Sequence, residues 1–195
     1  ESCWMACCIT GRNKIVIADS LWPEHVQVLQ TYLKGRQVKM ISVPSDPDSG
    51  QIDPAASKQT IDEAKPAAVV IQSPNRYGVL DDIAGIQEIA KAANALTIAS
   101  INPMITGCIK NPGAHAVDIA CCEAQPLGLE LNVGGPYLGV IATKPEHTSY
   151  LPGRIVGVCQ DLKGEPAFAL VKEEREQHVA RNKATSHICS NQALL

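Results

Sequence analysis

The residue types that could do chemistry fall in a few places along the chain. From Asp118 to Val140 the sequence reads DIACCEAQPLGLELNVGGPYLGV, in which two β-rich runs, VDIACC and YLGVIAT, flank a connection carrying Gln125, Pro126, Asn132, Gly134, Gly135 and Pro136. A polar, glycine-bearing loop at the edge of a buried sheet is where α/β proteins usually keep their chemistry. SPNRYG, with Pro74, Asn75 and Gly78, closes a third apolar run, and an Ile101-Asn102-Pro103 turn closes a fourth. In a doubly wound sheet such carboxyl ends converge on one crevice, so the three turns could share a site. Equally, their prolines and glycines could serve only to make tight turns.

Other candidates are weaker. Glu174, Arg175 and His178 could be read as a metal or catalytic group, but four-residue charge pairing on a solvated helix face explains them as well, and no third ligand lies nearby. His25, His115 and His147 fall in turns or on helix surfaces, where exposed or capping roles suffice. The eight cysteines stand at 3, 7, 8, 108, 121, 122, 159 and 189 with no Cys-x-x-Cys spacing, so no metal site is expected and reduced, mostly buried thiols are. No G-x-G-x-x-G follows the first strand, no G-x-x-x-x-G-K-[ST] occurs, and no G-x-S-x-G elbow is present, which excludes the dinucleotide, P-loop and serine-hydrolase readings at their defining residues.

The elements that must position these turns alternate. An opening helix, ESCWMACC, precedes the strand KIVIAD. Pro23 then starts a helix with Ser20 as its expected cap, Val26, Leu29, Tyr32 and Leu33 on one face, and Gly35 at its end. VKMISVP is a strand, Pro44 to Pro54 an irregular loop, and ASKQTIDEAK a helix halted before Pro66. AAVVIQSP, a helix lined by Ile83, Ile86, Ala90 and Ala93, and the strands LTIASIN, VDIACC and YLGVIAT complete the pattern. Continuous apolar strands alternating with helices predict an α/β fold, a mainly parallel sheet with right-handed crossovers and helices on both faces. From Leu151 the character changes: LPGRIVGVCQDLKGEPAFALV reads as two short strands turning at Lys163 and Gly164, and a charged, helical segment follows. The expected division is therefore a core over 1–150 and an extended arm and helix over 151–195.

The 195 residues, 45% of them hydrophobic, can bury one sizeable core. A net charge of -3 with one Phe, two Trp and four Tyr gives no basic, aromatic-laced surface, so no nucleic-acid partner is expected. The apolar runs are too short to span a bilayer, and a cytoplasmic protein, or a mitochondrial-matrix one in a eukaryote, is the expectation. The chain opens at Glu1 and closes at NQALL in mid-pattern, which reads as a piece of a longer protein.

Four runs carry a resemblance. VVIQSPNRYGVLDD, EAQPLGLELNVGGPYLGVIAT, LPGRIVG and above all REQHVARNKATSHICSNQAL resemble the P-protein family of the glycine cleavage system, the pyridoxal-phosphate-dependent glycine dehydrogenase (decarboxylating), and within it the amino-terminal half, or subunit 1. The resemblance implies the large domain of PLP-dependent transferase fold type I, the aspartate aminotransferase-like fold. It also implies a reaction in which glycine loses carbon dioxide and its aminomethyl group passes to the lipoyl arm of H-protein.

Family catalysis needs a lysine to hold pyridoxal phosphate and an acid at the pyridine nitrogen. Counted back from Gly134, Gly135 and Pro136, the lysine's place holds Gln125. Counted back from the Asn111, Pro112, Gly113 turn, the acid's place at the end of the fourth strand holds Ala99. The resemblance therefore implies a non-catalytic half with no covalently held cofactor, paired with a PLP-bearing half or subunit 2. Arg175, His178, Lys183, Thr185, Asn191 and Gln192 are its candidate groups facing that partner or H-protein. Departures from the family pattern are Arg76 and Tyr77 after SPN, Val133 before the GGP turn, and the Cys7, Cys8 pair. The alternatives are an autonomous fold type I enzyme, of the aminotransferase or desulfurase kind, which would need a lysine between 120 and 130, and a degenerate-site binding or regulatory module.

Overall fold

The computed structural model describes residues 1–131, 133–135, 137–153 and 155–170. Two compact units meet in sequence at Tyr150 and Leu151. The first holds a six-stranded sheet built from β1 (Lys14–Ala18), β2 (Lys39–Val43), β3 (Ala68–Ser73), β4 (Leu96–Ile101), β5 (Ile119–Glu123) and β6 (Gly139–Thr143), in the order β2-β1-β3-β4-β5-β6. The first five strands are parallel, and β6 returns antiparallel beside β5, with Glu123 opposite Gly139.

Strand β3 is buried at all six positions, which requires cover on both faces and explains its unbroken AVVIQS run. The helices are α1 (Ser2–Thr10), α2 (Pro23–Lys34), α3 (Pro54–Ala64) and α4 (Ile83–Ala92). The β2-α3-β3 and β3-α4-β4 crossovers run one way across the sheet while β1-α2-β2 runs the other. A common right-handed sense therefore places α3 and α4 on one face and α2 opposite. In keeping with this, α3 and α4 pack on one another, while α1 packs on β3, β4 and β5 from the other side, where Arg36 beyond the end of α2 lies 4.4 Å from the centroid of Trp4.

Local chemistry accounts for the helix ends. Asp53 caps α3 by accepting from the backbone of Ala55 and Ala56, and Asp82 caps α4 through the amide of Gly85. The expected Ser20 cap of α2 is absent. The chain turns once more through Leu21, Trp22 takes the cap position without a side-chain bond, and the Ser20 hydroxyl is buried with no partner among the described residues. Of α2 only Leu33 is fully buried. A groove of about 850 Å³ runs beneath the helix, lined by Ile17, Leu21, Val26, Gln30, Leu33 and Val38; Tyr32, expected on the inner face, is not part of that lining and is exposed. The second unit contributes a hairpin, β7 (Val156–Gln160) with β8 (Pro166–Leu170), as its two-strand pattern predicts. Its turn is fixed by the Asp161 carboxylate, which accepts from the amides of Lys163 and Glu165, and by Gly164 at φ +83°.

Candidate functional site

In an open α/β sheet ligands collect at the carboxyl ends of the strands, above all where the strand order reverses. Here that reversal lies between β1 and β3. The loops leaving the two strands are tied together: Trp22 donates its backbone N–H to Gln72 Oε1 at 2.9 Å, and Arg76 donates its own to the Ser20 carbonyl at 2.9 Å. Asn75, fully buried, organises the SPN turn. Its Oδ1 accepts from the amides of Tyr77 (3.0 Å) and Val79 (3.2 Å), and its Nδ2 donates to the Gly50 carbonyl (2.8 Å) and to Asp81 Oδ2 (3.3 Å). Asp81 in turn accepts from the Ile52 amide at 2.6 Å. Burial pushes the Asp81 carboxyl above its ordinary range, against the opposing pull of the bonds from Ile52 and Asn75. This group joins the 44–53 and 73–82 loops without leaving a reactive atom open. Arg76 and Tyr77 stand outside it, engaged with each other through a hydroxyl bond and ring contact.

In β4 the structure places Ala99, the residue expected where the acid would stand, inside the strand. Ala99 is not at the strand end. It is the fourth of six residues in β4, buried with Ile83 of α4 and Val117, so its side chain faces the core and not the carboxyl edge. The residue at the edge is Asn102, whose side-chain oxygen accepts from the Met104 amide at 3.0 Å and starts a 3-10 turn over Pro103–Gly107. A residue's place in a count along the chain does not tell which face of a strand it takes.

Beyond β5 lies the loop that carries Gln125. Gln125 opens a short 3-10 turn (Gln125–Leu127) and is 7% exposed. Its Nε2 donates to the Leu129 carbonyl at 2.7 Å, so the amide is turned along its own loop. Its backbone N–H donates to Glu123 Oε1 (2.9 Å), and the same oxygen accepts from the Leu138 amide (2.6 Å) across the loop. With the Ala124 amide donating to the Leu138 carbonyl (2.8 Å), this closes the neck of the loop. Within it Val133 adopts φ +53° and Gly134 φ +106°, the second a conformation that glycine alone enters without strain. Glu123 and Asp81 carry these arrangements and were not singled out from sequence, because each acts through partners 15 and 29 positions away.

The other expected site residues divide simply. Gly134 and Gly135 lie in the loop, while Pro136, Arg175, His178, Lys183, Thr185, Asn191 and Gln192 lie outside the described residues. Among the described residues no group of three or more His, Cys, Asp or Glu could hold a metal. Burial raises the thiols of Cys3 to about 12 and of Cys7 to about 11, and raises Cys121 and Cys122 as well.

Compared with known proteins, all of residues 1–195 match the family model described as glycine cleavage system P-protein. The chain belongs to the P-protein family. Within that family it is 43% identical over 194 residues to a protein of Chlorobaculum parvum named "Probable glycine dehydrogenase (decarboxylating) subunit 1", a match covering the whole of this chain and 43% of that relative. The crystal structure of an inhibitor-bound glycine decarboxylase (P-protein) superposes with a TM-score of 0.86 at 36% identity, over 97% of this chain and 42% of that one. This P-protein chain thus spans less than half the length of the relatives it matches. An aspartate aminotransferase of Thermus thermophilus, with a TM-score of 0.58 at 13% identity over 76% of this chain, shares the fold alone, which is fold type I of the PLP-dependent enzymes.

The P-protein fold implies pyridoxal phosphate, and holding it covalently takes an amine and, at the ring nitrogen, an acid. Gln125 presents a primary amide already committed to Leu129, and Ala99, at the place expected for the acid, carries no ionisable group. These residues do not fit a covalently held pyridoxal phosphate.

Proposed function

We propose that this chain belongs to the non-catalytic half of glycine decarboxylase and supports a PLP-bearing half or subunit. In this reading the whole enzyme decarboxylates glycine and passes the aminomethyl group to the lipoyl arm of H-protein, and the pyridoxal phosphate is held by the partner half. One observation supports it: Gln125, which the resemblance sets at the lysine's place, has a side chain that cannot form an imine and is bonded to the Leu129 carbonyl. The subunit 1 name of the relatives supports the existence of a partner subunit. Residues 1–150 are then the core of the large domain, with 151–195 the arm leading towards a small domain, and Arg175, His178, Lys183, Thr185, Asn191 and Gln192 on the side of the partner or of H-protein. The absence, among the described residues, of any helix long and apolar enough to cross a membrane accords with a cytoplasmic setting. No lysine occurs between 120 and 130, which leaves the autonomous-enzyme alternative without its nucleophile.

The test is borohydride reduction of the complete two-subunit enzyme loaded with pyridoxal phosphate, followed by peptide mass spectrometry. The expected result is one pyridoxyl-lysine per active site, on a peptide of the partner half. A stoichiometric adduct on any lysine of this chain overturns the reading.

A further inference from the structure

We draw no further inference here: the strongest candidate, the groove beneath α2, carries nothing, because nothing in the structure shows what covers it in a chain that spans less than half the length of the relatives it matches.

Discussion

The SPN turn after β3 and the long loop after β5 leave the same edge of the sheet on opposite plans. Around the first, Asn75 and Asp81 are buried, and their polar atoms are spent on Gly50, Ile52, Tyr77 and Val79. In the second, bonding is concentrated at the neck, through Glu123 and Gln125, and the tip presents Leu127, Leu131 and Val133 to solvent. The difference separates two kinds of completeness. A turn built round the bonded side chains of Asn75 and Asp81 is held by its own network, although Tyr77 and Leu80 at its rim stay exposed. A loop bonded at its base leaves the apolar side chains of Leu127, Leu131 and Val133 exposed.

That contrast predicts a descending series of effects on the complete protein. Asn75→Ala should be the most damaging, costing about 2 kcal/mol in denaturant unfolding, because it strands two part-buried amides, a carbonyl and a bond to Asp81 at once. A loss below about 1 kcal/mol would break the contrast, by showing that the turn does not depend on its buried network. Asp81→Asn should cost about 1 kcal/mol, since an amide can still accept from Ile52 but meets the Asn75 amide as donor against donor.

Asp81 also has a pH signature. Its carboxyl is raised in the folded state, so the fold binds that proton more tightly than the unfolded chain does. The contribution is fully present below the ordinary carboxylate range and is lost as pH rises through the folded value. Stability measured across that window should fall with rising pH in the wild type and flatten in Asp81→Asn; an unchanged slope would assign the dependence elsewhere. The smallest global effect is expected from Glu123→Ala, about 1 kcal/mol or less because the carboxylate is exposed. Its mark should instead be local, as faster amide hydrogen exchange at Gln125 and Leu138 with the amides of β3 unchanged. Faster exchange spread over the whole sheet would mean that the neck belongs to the core.

The fold was legible where burial writes itself into composition. KIVIAD, AAVVIQSP and LTIASIN are apolar on both sides because both faces of the sheet are covered, and Pro23, Pro54 and Gly35 mark helix ends by backbone chemistry alone. The site was legible in position and not in wiring. Gln125 could be found because a residue type was missing from an expected place, but nothing local tells that its amide turns back to Leu129. Ser20 looked like a cap because caps are recognised by type, while an extra turn through Leu21 moved the helix start past it. Ala99 was expected at the end of β4 and lies two residues inside it, buried with Ile83 and Val117, because a count along the chain ignores the alternation of faces.

The antiparallel return of β6 beside β5 has one more consequence. It brings the two ends of the long loop side by side, with Glu123 paired to Gly139, so that the sheet is sealed beneath the loop whatever the loop contains. The intervening residues form a cassette: they can change length, lose a nucleophile or acquire a new surface without asking any strand to shift register. A fold with its last connection made this way can rewrite that one loop and leave the sheet beneath it as it was.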